Sequence, residues 1–292
     1  MNLFFSYIGY GFLKMLSFLP LRILYIFSDL TYFLVYRVIG YRKKVVTQNM
    51  MNSFPEMDRK ELIRTRNKFY HHFCDLFLET IKIMHISDRE IKKRCFFKNP
   101  ELLQQYSDDG KSVIAIMGHY GNWEWMTSYA LWSDTTFLPI YKPLHNKVFD
   151  RMYINLRERF GAETLPKQDT LRRMIRYKNQ NTPTITAFIG DQTPNKKNIQ
   201  YWTQFLNQDT PIFMGTEKIA QKLNQVVVFV NMQKVKRGYY EVEFIPLFEQ
   251  PKDTAPFEIT EKHTRKLEEI IQKQPAYWLW SHKRWKHKRD KA

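Results

Sequence analysis

The period of the apolar positions changes along this chain, and each change predicts an element. Residues 3–39 are apolar and aromatic almost throughout, interrupted by Lys14, Arg22 and Asp29. The longest uncharged run, Met1 to Leu13, has thirteen residues, short of the eighteen or so that mark a span. Pro20 predicts a break between two helical pieces. Residues 57–84 then place Leu62, Phe69, Phe73, Leu76, Phe77 and Ile81 at helical spacing. From residue 112 short apolar runs bounded by turn residues alternate with helical patterns. The runs 112–117, 135–141, 183–189, 226–232 and 239–247 predict strands, and the last two are joined by a Lys-Arg-Gly turn. The segments 122–132 (capped by Asn122), 146–160, 169–179, 214–224 and 257–273 predict helices. Strands alternating with helices predict an α/β sheet with helices on its faces.

Composition narrows the reading. The 292 residues carry 46 Lys and Arg against 29 Asp and Glu, a formal net charge of +17. That excess favours anionic partners: lipid headgroups, phosphorylated ligands, an acidic protein or nucleic acid. Aromatic residues reach 16%. With Arg37, Arg42, Lys43 and Lys44 following the apolar stretch, residues 1–44 are expected to form a helical segment lying in or dipping into one leaflet. Tyr7, Tyr10, Tyr25, Tyr32 and Tyr36 would be its interfacial anchors. The competing reading is a pair of buried core helices. A signal peptide is not expected, since no basic region precedes the apolar stretch and no small-residue cleavage site follows it. Residues 45–292 contain no clear boundary and are expected to form one catalytic domain with a basic C-terminal tail. Cys74 and Cys95 are the two cysteines; they cannot make a disulfide scaffold, and a cytoplasmic-facing body is the simplest expectation.

The chemistry concentrates at Gly118-His119-Tyr120-Gly121-Asn122-Trp123-Glu124. This block follows an apolar strand and opens a helix, and active groups gather at the carboxyl ends of strands in open α/β sheets. Gly118 and Gly121 permit a sharp turn that can fold the Glu124 carboxylate back onto the His119 imidazole. A carboxylate on one ring nitrogen fixes the tautomer and leaves the other nitrogen to take a proton. An isolated His and acid at this spacing are often structural; the strand–turn–helix setting favours the general base. No Gly-x-Ser-x-Gly elbow, phosphate loop, His-Glu-x-x-His or dinucleotide glycine fingerprint competes. His71 and His72 have no further ligand at metal spacing, so no metal is expected.

The block GHYGNWEW strongly resembles the His-x-x-x-x-Asp/Glu block of the bacterial lipid A biosynthesis (late) acyltransferases, within the lysophospholipid acyltransferase superfamily. Further blocks resemble that family in order: 141–161, IGDQTPNK at 189–196, 205–230, and YWLWSHKRWK at 277–286. The resemblance implies a glycerolipid acyltransferase-like fold, a mixed and mostly parallel sheet flanked by helices. It implies transfer of a fatty acyl chain from a thioester, on acyl carrier protein or coenzyme A as co-substrate and with no other cofactor, to a hydroxyl of a lipid A precursor. His119 would be the base and Glu124 its partner. Arg157 and Arg159 fall where the family keeps an arginine that steadies developing charge, against the bland reading of a solvated helix face. Gly118, Asn122, Tyr141, Lys142, Asp191 and Gln192 would line the substrate site. Tyr141-Lys142-Pro143 departs from the family's Tyr-Arg-Pro, and lysine keeps the charge but loses the bidentate fork.

The elementary chemistry agrees. An alcohol attacks a thioester only as its proton leaves, and the developing oxyanion needs donors, either backbone N–H groups near Gly118 to Gly121 or the two arginines. No Ser or Cys is set near His119 as a nucleophile; Ser128 lies further along the helix. The C-terminal run 282–291 carries six Lys/Arg against one Asp and includes Trp285. It is expected to meet membrane or lipid phosphate, ahead of a solvated tail, carrier protein or nucleic acid, the last of which is not expected as a partner. The place of action expected is the cytoplasmic face of a bacterial inner membrane. The alternatives are the same chemistry on an aminolipid or mannolipid, and a non-catalytic basic lipid-binding protein.

Overall fold

The computed structural model describes residues 3–289. Its strands, among the described residues, are β1 (Cys95–Phe97), β2 (Val113–Met117), β3 (Thr136–Tyr141), β4 (Leu165–Pro166), β5 (Thr184–Ile189), β6 (Tyr201–Phe205), β7 (Gln208–Ile212), β8 (Val226–Lys236) and β9 (Tyr239–Phe248). All but β6 and β7 join one sheet in the order β1-β9-β8-β2-β5-β3-β4. Neighbours run parallel except the β8–β9 hairpin. The fold is therefore α/β with a mixed, mostly parallel sheet, as the alternating pattern and the resemblance both anticipate. β2 is buried along its whole length because it has β5 on one side, β8 on the other and helices over both faces, which is why it reads as an unbroken apolar run.

The helices are α1 (Leu3–Phe18), α2 (Leu21–Tyr32), α3 (Lys43–Ser53), α4 (Arg59–Lys82), α5 (Asp88–Arg94), α6 (Glu101–Asp108), α7 (Lys147–Glu158), α8 (Thr170–Asn179), α9 (Gly215–Leu223) and α10 (Glu258–Lys273). Asp58 caps α4 by accepting from the Glu61 N–H, and Asn146 caps α7. The segment after the His119 turn, Trp123–Leu131, winds as a 3₁₀-helix rather than an α-helix, an uncommon length for that form. Asn122 caps it as expected, its Oδ1 accepting from Trp125 N–H at 3.3 Å.

The N-terminal helices are built inside out. α1 buries Ser6, Leu16 and Ser17, and α2 buries Leu21, Leu24 and Ser28. Phe4, Phe5, Ile8, Phe12, Met15, Phe18, Ile26 and Leu30 are exposed. α2 packs on α4, and the buried Lys82 ammonium donates to Ser17 O at 2.9 Å and Leu19 O at 2.8 Å, closing the carbonyl end of α1. Two of the tyrosines expected at the interface face inward instead: Tyr36 is buried under α4, and Tyr25 donates to the buried Glu79 at 2.8 Å. Their hydroxyls find protein partners, so headgroups are not needed to satisfy them. Among the described residues no single helix is long and apolar enough to cross a membrane; the pair Leu21–Val38 and Lys43–Ser53, bent by 86°, passes by length and composition alone.

The C-terminal segment is partly packed into the body. Trp278, Trp280 and Arg284 are buried, and Trp285 donates to Thr210 Oγ1 at 2.7 Å. Three indoles pack together here, so the hydrophobic contribution of the tryptophans carries this basic segment into the body. Lys283, Lys286, Lys288 and Arg289 remain exposed. Asp290 and Lys291, the end of the expected tail, lie outside the described residues.

Candidate active site

β2 and β5 are parallel neighbours with Met117 opposite Ile189. Two residues further along each strand stand His119 and Asp191. The register alone brings these side chains together at the carboxyl end of the sheet. Asp191 Oδ1 accepts from His119 Nδ1 at 2.5 Å. Asp191 Oδ2 accepts from the His119 backbone N–H at 2.8 Å and from Trp278 Nε1 at 2.8 Å. Asp191 is buried. Burial pushes its pKa up, but the positive charge available on His119 and the three donors outweigh it and hold the carboxyl down at about 2. An ionised Asp191 accepting from Nδ1–H fixes the tautomer, so Nε2 carries the lone pair. That nitrogen accepts from the exposed Gln192 amide at 3.1 Å.

The turn that carries His119 is held from several sides. Gly118 leaves room for Leu267 of α10 and for Asp191; a Cβ there would stand 2.6 Å from a Leu267 methyl and 3.1 Å from Asp191 Oδ2. Gly121 takes φ +63°, a conformation that costs glycine little. Its N–H donates to Tyr277 O at 3.0 Å, and Leu279 N–H donates to His119 O at 3.1 Å, so residues 277–279 line the turn as a short strand-like strip. Two of the backbone donors expected to receive an oxyanion are in use, His119 N on Asp191 and Gly121 N on Tyr277 O, and Asn122 N beyond them meets Met232 Sδ.

Glu124 is not on the imidazole. It forms a bidentate pair with Arg157 of α7, Nε to Oε2 at 3.1 Å and Nη2 to Oε1 at 2.8 Å. The expected fold-back assumed a turn closing on itself. Instead the turn through Gly121 starts the next helix with Glu124 toward α7, where a guanidinium offers both of its matching donors. Burial would lower the Arg157 pKa, but the Glu124 charge and hydrogen bonds outweigh it and raise it. The pair forms one wall of a narrow pocket otherwise lined mainly by Met117, Trp123, Met126, Phe137, Ile140 and Ile189. Trp123 also meets the His119 ring edge-on, centroids 4.9 Å apart, so this apolar pocket opens beside the imidazole.

The remaining candidates scatter. Asn122, expected to touch substrate, is wholly buried with its amide donating to Glu79 Oε2 at 2.8 Å. Arg159 turns away from Arg157 to Asp88 at 3.4 Å and Ile86 O at 3.3 Å. Tyr141 ends β3 half-buried, and Lys142 follows it exposed. Cys74 and Cys95 are buried, and burial pushes both thiols up to about 12, away from reactivity.

The family model described as "Bacterial lipid A biosynthesis acyltransferase" matches residues 1–287 of this chain. The chain belongs to this family. No curated protein matches it. Membership in the lipid A acyltransferases makes the protein an acyltransferase. It also brings residues 1–40 and 277–286 within one family unit with the sheet, in keeping with the contacts both make on the His119 turn or on α4.

For this lipid A acyltransferase family member, residue-by-residue reading missed the partners that hold the site. Trp278 was only part of a C-terminal block, and its indole is a donor to Asp191. His72 sat in an apolar helix pattern, and its Nε2 meets Gly121 O at 3.1 Å. Burial pushes its pKa well down, so the neutral ring donates there. Glu79, in the same pattern, is fully buried. A carboxylate and an imidazole on the apolar face of a helix were the available signal, since such groups are buried only with partners.

Proposed function

We propose that this protein moves a fatty acyl chain from an acyl carrier protein thioester to a hydroxyl of a lipid A precursor at the cytoplasmic face of the inner membrane. His119 is the general base, oriented by Asp191. The observation that carries this reading is the 2.5 Å contact of His119 Nδ1 with an ionised, buried Asp191, placed beside an apolar pocket. The acceptor hydroxyl takes the place of the Gln192 amide at Nε2. His119 removes its proton as the oxygen attacks the thioester carbonyl. The tetrahedral intermediate then collapses, the C–S bond breaks, and the imidazolium returns the proton to the departing thiolate. No acyl-enzyme is required.

Arg157 is the charged donor nearest the pocket, and Glu124 clamps it there rather than aligning the base. In this reading it balances the developing oxyanion, since the N–H groups of His119 and Gly121 are engaged elsewhere. The acyl chain lies in the apolar pocket beside it. In the same reading Tyr141, at the end of β3, and Lys142 after it take the acceptor's phosphate. The outward-facing aromatic side of α1 and α2 supports seating in one leaflet. A contiguous apolar face of that kind on a basic protein fits an anionic bilayer.

The test is transfer from a long-chain acyl carrier protein thioester to purified lipid A precursor, followed by mass spectrometry. His119→Ala is expected to lose transfer while keeping its melting temperature; near wild-type turnover would remove the base assignment. Lipids of a deletion strain should lack one acyl chain on lipid A, and a chain lost from another lipid would move the acceptor. Ile8→Ser with Phe12→Ser and Met15→Ser should weaken sedimentation with phosphatidylglycerol-containing vesicles.

A further inference from the structure

Beneath the His119 turn lies a second buried carboxylate that the transfer chemistry does not use. Glu79 of α4 is fully buried. Its Oε2 accepts from Asn122 Nδ2 and from the Tyr240 hydroxyl, both at 2.8 Å. Its Oε1 accepts from the Tyr25 hydroxyl at 2.8 Å. Its backbone oxygen accepts from Trp125 Nε1 at 3.0 Å. Two turns earlier on the same face, His72 donates to Gly121 O. Between them Asp75 accepts from Ser28 Oγ of α2 at 2.7 Å and from Arg237 of the β8–β9 turn. One face of α4 thus grips residues 121–125 on one side and α2 on the other.

From this we infer that Glu79 is a positioning residue for the His119 turn, and that through Tyr25 it makes the N-terminal helices part of the catalytic apparatus rather than an anchor alone. This rests on the reading of His119 as the base. The physical basis is the geometry of Asn122. Its two ends do two tasks: Oδ1 caps the 3₁₀-helix and Nδ2 is fixed by Glu79. Releasing Nδ2 lets the amide rotate, and the cap and the three-residue link back to His119 loosen with it. The imidazole must hold its position within about half an ångström for proton transfer, so slack in the turn appears in turnover before it appears in binding. Tyr25 is the one contact of this group that reaches Glu79 from α2. A helix that only anchored would have no need to place a hydroxyl on a carboxylate beneath the active-site turn.

The experiment uses full-length protein with Glu79→Gln and Tyr25→Phe. Glutamine at 79 presents its own NH₂ to a site built from donors. Amide hydrogen exchange is read by mass spectrometry across 118–126, with the β2 peptide 113–117 as internal reference. For both variants faster exchange is expected in 118–126 and none in 113–117. With the acyl carrier protein thioester, kcat is expected to fall about tenfold for Glu79→Gln and about threefold for Tyr25→Phe, with KM unchanged. Sedimentation of Tyr25→Phe with phosphatidylglycerol-containing vesicles should equal wild type. Unchanged exchange in 118–126, or a Tyr25→Phe loss explained wholly by weaker vesicle binding, overturns the inference. Where Glu79→Gln does not fold, Tyr25→Phe alone decides it. Exchange needs no substrate, so failure of the His119 assignment would show separately, as an active His119→Ala.

Discussion

Asp191 and Glu79 are both buried carboxylates, and each accepts two donors on one oxygen and one on the other. Their ionisation nevertheless shifts in opposite directions. Burial pushes both up. At Asp191 the imidazole that can take positive charge, with its hydrogen bonds, reverses the effect, and the pKa falls to about 2. At Glu79 burial prevails: Lys234 pulls its pKa down, but Asp75 adds to the rise, and the phenols and amide around it are neutral. Donor count therefore does not decide the charge; the charge of the donor does. Asp191 sits where a proton can move to a neighbour. Glu79 sits where the surroundings gain only a fixed shape. In the proposed reading, that contrast separates a carboxylate that orients a base from one that holds a turn.

The strongest way to break the contrast is Asp191→Asn. It keeps the shape but offers His119 Nδ1 an amide that can impose the wrong tautomer. Turnover is expected to drop by roughly 10²–10⁴, with the thioester KM little changed; a loss under tenfold would transfer the aligning role elsewhere. Glu124→Gln comes next. It leaves the His119–Asp191 contact intact and removes one charge of the Arg157 clamp, so a loss of about tenfold to a hundredfold is expected, with the pH dependence of kcat retained. A larger effect for Glu124→Gln than for Asp191→Asn would restore Glu124 as the partner of the base.

Titration gives a smaller and sharper separation. Asp191 has a folded pKa of about 2 against an ordinary 3.8. Its contribution is present above about pH 4 and is lost as pH falls toward 2, roughly 2 kcal/mol in all. Glu79 has the opposite sign. Its folded pKa is raised, so the protonated form is favoured, and that contribution is complete below the ordinary carboxylate range and lost as pH rises through the folded value. Urea unfolding of wild type and Asp191→Asn at pH 7 and pH 3 checks this. The stability gap between them should shrink at pH 3. For Glu79→Gln it should not shrink in the same way.

Much of this architecture was legible in the chain. The apolar runs of β2 and β5, the break at Pro20 and the cap at Asn122 follow from residue chemistry acting locally. His119 at the end of β2 was legible for the same reason. Its pairing was not, because Asp191 is far away in sequence and meets His119 only through strand register, which no local pattern encodes. Glu124 misled because the turn at residues 119–122, with Gly121 at φ +63°, starts the next helix at Trp123 with Glu124 against Arg157 rather than folded back on His119. The hairpin β6–β7 was too short and too polar, with Pro211 inside it, to show an alternation. Arg284 reads as a tail charge, and its burial depends on three tryptophans whose packing is a tertiary event.

The smallest expected effects come from taking one neutral donor from each carboxylate. Trp278→Phe keeps a ring in the indole site and removes the Nε1–H that holds Asp191 Oδ2. Tyr240→Phe removes one hydroxyl from Glu79 Oε2 and leaves the ring in the core. By general hydrogen-bond energetics each costs about 1 kcal/mol of stability, so the melting temperatures should fall by similar small amounts. The activities should not match. Asp191 with two donors left can swing about its Oδ1 contact and drag the imidazole with it, so Trp278→Phe should lose several-fold in kcat. Glu79 keeps Asn122 and Tyr25, and the turn stays capped, so Tyr240→Phe should stay within about twofold of wild type. Equal losses would mean that both carboxylates act as scaffolding and that proton transfer has another partner.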